Sequence, residues 1–188
     1  RDDAATHALG VAHLDNQVAA ITDNRLKDGR STPSHMLVEE DEIISALRCI
    51  SKHIAACESN PELQPLASVE KNAVAVMAID FEYSIQYGLI DLVQIATGNH
   101  IFLFDTYKNE STLREDEIDG VPTLRHWLQS EKIVKVAQAC TGDCKLLRIG
   151  YGIECRLLFD TAVADATLRC VPINSMRDLG TLVHKHIG

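Results

Sequence analysis

The stretch VAVMAIDFEYS, residues 74–84, constrains this chain more than any other. Six apolar residues in a row suit a strand buried on both faces, as in a sheet covered by helices. Side chains alternate along a strand, so Asp80 and Glu82 at its end project to the same side. Neighbouring carboxylates oppose each other's ionisation, and a buried charge without a partner is strongly unfavourable. A hard divalent cation, Mg2+ or Mn2+, removes both penalties, because carboxylate oxygens are its preferred ligands. If Glu82 instead lies past the strand end, it is merely solvated and the pair says nothing about metal.

The 188 residues fit one domain with room for a substantial core. Hydrophobic residues at 46% and charged residues at 24% describe an ordinary globular protein. A net charge of −9 argues against a protein that grips nucleic acid through bulk positive charge, but not against one that uses metal ions and a few local cations. No apolar run is long enough to span a membrane and the opening RDDAATHALG is no signal peptide, so an intracellular protein, cytoplasmic or nuclear, is expected. Because the chain starts at Arg1, it reads as a piece of a longer one. Cys49, Cys57, Cys140, Cys144, Cys155 and Cys170 form no CxxC pair; buried free thiols in a reducing compartment are expected rather than a zinc site.

Residues 1–34 read as an extension or linker helix, with Leu14, Val18, Ile21 and Leu26 at helical spacing before KDGRSTPS breaks the pattern. Regular structure is expected over 35–188. A short strand at 35–38 precedes a helix whose acidic start, EEDE, suits the helix dipole. Apolar segments at 73–80, 89–96 and 100–105 are separated by Gly88 and Gly98-Asn99, as in hairpins. A helix over VPTLRHWLQSEK, a strand from Ile133, a helix over GDCKLLRIGYG ending near Gly152, a strand CRLLF and two more helices complete the pattern. The expected class is α/β: a mixed sheet, three antiparallel strands and then parallel ones, with helices on both faces. The 73–80 strand should be central, antiparallel to 89–96 and parallel with 133–138.

MAIDFEY, LIDLVQIATGNH and IFLFDTY occur in that order, followed by KVAQACTGDCKLL and LLFDTAVADATL. This series resembles the DEDD 3'-5' exonucleases of the RNase D and Werner-exonuclease type, which have an RNase H-like fold. Within that superfamily it is most like the Egalitarian-like exonuclease 3'-5' domain-containing branch, which includes RNA adaptors without activity. The resemblance covers about residues 35–188 and implies a metal-dependent 3'-5' exonuclease that hydrolyses single-stranded RNA or DNA. It implies two divalent ions, Mg2+ or Mn2+, held by Asp80, Glu82 and Asp143. Two departures stand out: Gln138 replaces a frequent His, and the fourth acidic motif is not found. HKHIG at the end starts like HxAxxD, but His186 takes the alanine position.

Read on its own, Asp143 is equally a helix N-terminal residue. Asp160 and Asp105 read as structural aspartates, and Asp178 as a capping or surface residue. Tyr83 and Tyr87 are candidates for stacking on a terminal base, whereas Phe81 and Phe104 suit the core. Lys145 and Arg148 suit either phosphate contacts or a solvated helix face. Two functions are therefore carried forward: a two-metal exonuclease, and an inactive exonuclease-fold RNA-binding adaptor or scaffold in an RNA silencing or transport complex. Protein partners or a homodimer fit either, and a membrane fits neither.

Overall fold

The computed structural model describes residues 34–37, 40–60, 73–84, 88–97 and 100–187. The expected extension at 1–34 therefore lies almost wholly outside the described residues, as does Tyr87. Strand β1 (Ser34–Leu37) leads to helix α1 (Glu40–Ser59), then to β2 (Ala75–Ser84), β3 (Leu89–Thr97) and β4 (His100–Asp105). A short helix α2 (Ser111–Arg114) and a small hairpin, β5 (Glu117–Ile118) and β6 (Val121–Pro122), precede α3 (Leu124–Gln129) and β7 (Ile133–Ala137). Then come α4 (Thr141–Tyr151), β8 (Leu158–Asp160), α5 (Thr161–Leu168), a 3-10 turn (Ile173–Ser175) and α6 (Leu179–His186).

Six strands form one sheet in the order β1-β4-β3-β2-β7-β8. β2 is antiparallel to β3 and parallel to β7, with Asp80 opposite Gln94 and Met77 opposite Lys135. β3 is antiparallel to β4, β4 is parallel to β1, and β7 is parallel to β8. Only β3 runs against the rest, so five strands point their carboxyl ends at one edge. In open α/β sheets that edge is where ligands bind. The mixed, RNase H-like sheet expected from the sequence is present, with 73–80 internal as expected.

The core forms on one face of β2, where Ala75, Met77, Ile79 and Phe81 are buried. α1 supplies Ile43, Leu47 and Ile50, the apolar stripe of an amphipathic helix, and α3 supplies Leu124, Trp127 and Leu128. Phe81 and Phe104 belong to this core, as expected. The expectation that β2 is buried on both faces is corrected. Val76 is only half-buried, and Ala78 and Asp80 are exposed. The face that carries Asp80 and Glu82 has to stay open if a ligand is to reach them, and hydropathy alone does not register that.

Smaller corrections have local causes. The helix expected from Val121 starts at Leu124, because Val121 and Pro122 pair with β5. CRLLF yields a strand only at Leu158–Asp160; Leu157 before it has φ 48°, off the extended path. Of the six free thiols, Cys57 and Cys140 are buried, Cys49, Cys144 and Cys155 are half-buried, and Cys170 is exposed on a turn.

Candidate active site

Asp80 and Glu82 stand on one side of β2 near its carboxyl end, and Asp143 lies in the first turn of α4, after β7. Burial first, and then repulsion from Asp80 and Asp160, raises the Asp143 carboxyl above its ordinary value, although a backbone hydrogen bond opposes the rise. Asp80 is raised as well, by burial against an opposing backbone hydrogen bond at Phe81. Aspartates from β2, α4 and the end of β8 thus share one electrostatic environment. Glu82, half-buried, points the same way as Asp80.

Helix α4, which carries Asp143, is fixed at both ends. At its carboxyl end Gly152 adopts φ 65° and donates to Arg148 O, while Ile153 N–H donates to Leu147 O at 3.1 Å. That pattern caps a helix and requires the left-handed conformation glycine tolerates. Arg114 donates to Gly150 O at 2.7 Å and Arg125 to Tyr151 O at 2.8 Å, cations on the last carbonyls of the helix. Ile90 N–H donates to the Tyr151 hydroxyl at 3.2 Å, which ties the helix to β3.

At its amino end the anchor is Asp160. Its carboxylate accepts from Ala162 N at 2.9 Å, capping α5, and also from Ala139 N at 2.9 Å and Cys140 N at 3.0 Å in the turn leading into α4. Burial alone would raise this carboxyl, but the N–H groups of Ala139, Ala162 and Cys140 outweigh it and hold the group below its ordinary value. Ala139 has φ 53°, a strained conformation for a residue with a Cβ. The structural reading of Asp160 was therefore right but too narrow, because one carboxylate organises two helix starts. The partners 21 and 20 residues upstream have no sequence signal.

Gln138 is likewise engaged. Its Nε2 donates to Arg177 O at 2.8 Å, and its Oε1 accepts from the Thr161 hydroxyl. It joins the end of β7 to the segment before α6. Asp178 caps α6 through Thr181 N at 2.8 Å. His186 lies 3.9 Å from the buried Asp165, with Arg169 at 2.7 Å and Arg177 and Lys185 each at 3.7 Å. Asp105 binds Lys108 N at 3.0 Å, which accords with an architectural role.

The structure brings Asp80 and Asp143 together. Lys145 and Arg148 are exposed on α4, and their side chains make no hydrogen bond or ion pair among the described residues. Tyr83 is 43% exposed beside the site. Oxygen-only donors on converging carboxylates fit a hard divalent ion. Among the described residues, however, no group of three or more His, Cys, Asp or Glu side chains stands ready to hold one.

The family model described as 3'-5' exonuclease matches residues 55–188, and the chain belongs to that family. A search of curated proteins by sequence finds no match. Among solved structures it is similar to the Trypanosoma brucei RNase D complex with RNA U12, at 16% identity and a TM-score of 0.57, over 81% of this chain and 46% of that one. The catalytic core of RRP6 from Trypanosoma brucei, mutant C496S, aligns at 20% identity and a TM-score of 0.54, over 84% of this chain and 36% of that one. The EXD2 exonuclease domain soaked in Mg and GMP aligns at 18% identity and a TM-score of 0.51, over 81% and 67%. At these identities the likeness shows the fold. This chain spans less than half of that RNase D chain. No described helix is long and apolar enough to cross a membrane.

Proposed function

We propose that this domain hydrolyses phosphodiester bonds of single-stranded RNA or DNA from the 3' end, using two divalent ions, Mg2+ or Mn2+. The observation that carries the reading is the convergence of Asp80 and Asp143 at the carboxyl edge of the sheet, each above its ordinary pKa. Burial raises both, and repulsion from Asp80 adds to the rise at Asp143; a cation beside the groups relieves both penalties. Divalent ions bound there would supply a water nucleophile at neutral pH and neutralise charge on the phosphate and the leaving oxygen. Asp80, Glu82 and Asp143 would hold them. Lys145 and Arg148 would meet phosphates on the strand, and Tyr83 and Tyr87 its terminal nucleotide.

Supporting the reading further, α4 is held at both ends, so Asp143 is presented without reorganisation. The test is shortening of a 5'-labelled oligonucleotide with Mn2+, alongside calorimetric titration of Mn2+ into wild type and Asp80→Asn. Loss of the ion and of shortening by at least about a hundredfold in Asp80→Asn is expected. An oligonucleotide that is bound but never shortened under any divalent ion would replace this reading with the adaptor or scaffold function.

A further inference from the structure

Along β2 the buried positions are Ala75, Met77, Ile79 and Phe81, so strict alternation would bury Tyr83 next. It is instead 43% exposed. The cause is a break in register: Glu82 faces Leu92 but Tyr83 faces Ile90, leaving Asp91 as an extra residue on β3. Such a bulge increases local twist and re-aims the side chains around it.

The re-aimed tyrosine does not simply point to solvent. Its hydroxyl lies 4.0 Å from where a Cβ at residue 142 would stand, in the first turn of α4 and one residue from Asp143. Because residue 142 is glycine, nothing from that position covers the phenol. The hydroxyl makes no hydrogen bond among the described residues. A free O–H is thus held at the edge of a site otherwise lined by carboxylates.

A phosphodiester arriving there is an anion meeting anions, and needs donors to offset the repulsion. A lysine at this position would pair with Asp80 or Asp143 and compete with a cation for them. A neutral phenol donates to a phosphate oxygen without that competition.

We propose that the Tyr83 hydroxyl is a phosphate-binding group, donating a hydrogen bond to a phosphate oxygen of the terminal nucleotide on the Asp143 side of the site. This rests on the nuclease reading for the identity of the ligand, but its test does not require turnover. The role is distinct from base stacking, which would use the ring.

The experiment is calorimetric titration of a nucleoside 5'-monophosphate, and separately of ribose 5-phosphate, into wild type, Tyr83→Phe and Gly142→Leu with Mn2+ present. Tyr83→Phe should weaken both ligands by about tenfold, the usual loss for one hydrogen bond to a charged acceptor. Its melting temperature and Mn2+ affinity should stay at the wild-type values, because the hydroxyl has no hydrogen-bond partner among the described residues. Gly142→Leu, which keeps the hydroxyl but covers it, should weaken both ligands too. Unchanged affinity in Tyr83→Phe overturns the proposal, as does wild-type protein that binds neither ligand. A loss confined to the base-bearing ligand also overturns it, in favour of stacking. Binding that behaves as expected in a protein that never shortens an oligonucleotide would sink the nuclease reading and leave this one standing.

Discussion

Replacing Asp160 by alanine should loosen the candidate site and the fold together. In the structure its carboxylate serves the Ala162 N–H of α5 and the Ala139 and Cys140 N–H groups before α4. Losing an aspartate cap costs about 1 kcal/mol. Each further backbone donor left without its partner adds about 1 kcal/mol, toward the lower end because water reaches this half-buried turn. The sum is about 3 kcal/mol, which for a domain of this size lowers Tm by about 6–12 °C. Asp160→Asn keeps one acceptor oxygen and should lose about half as much. The same carboxylate holds Ala139 at φ 53°. Ala139→Gly should therefore stabilise the otherwise wild-type protein by about 0.5–1 kcal/mol, and less in the Asp160→Ala background, where the turn is free to relax. The pH dependence has a fixed sign. The Asp160 carboxyl titrates below its ordinary value of 3.8 in the folded state, so its contribution is complete above that pH and disappears as the pH falls through the lower folded value. Urea titrations of the three single variants, the double variant and wild type at neutral and acid pH measure all of this. A loss under about 1 kcal/mol in Asp160→Ala, or a destabilising Ala139→Gly, would refute the view that Asp160 holds both helix starts.

Two further outcomes test the frame around the site. Lys135 is fully buried, its Nζ donating to Ser130 O at 2.7 Å and Trp127 O at 3.3 Å, and burial lowers its pKa to about 8. The unfolded chain then holds a proton the folded one has shed, so wild-type stability relative to Lys135→Met should rise between pH 8 and 10.5; parallel curves would contradict the burial. Asp165→Ala should release α6, seen as faster amide exchange across residues 179–186 and a lower Tm. Lys132→Ala, at an ion pair whose side chains are 65% and 52% exposed, should change stability by no more than about 0.5 kcal/mol. If the two variants behave alike, Asp165 does not clasp α6.

How far the sequence could be read depended on how locally each feature is determined. β2, β3 and β4 are written in consecutive residues, as apolar runs separated by turn glycines, and their pairing followed. Asp80 and Glu82 were legible for the same reason, because two carboxylates after six apolar residues violate the local pattern. The exposure of Ala78 was not, since an alanine reads alike under a helix and beside a ligand. Nor was the reach of Asp160, whose partners at Ala139 and Cys140 lie in the turn after another strand, or the reorientation of Tyr83, which depends on one extra residue in β3. These non-local features share a consequence. A bulge, a left-handed alanine and a multiply bonded aspartate each depart from regular geometry, and all three surround the first turn of α4. Regular structure places the strands, while local irregularities set where Asp143 and Tyr83 stand. Substitutions that relieve strain there, Ala139→Gly among them, are the ones expected to alter stability and ligand binding in different directions.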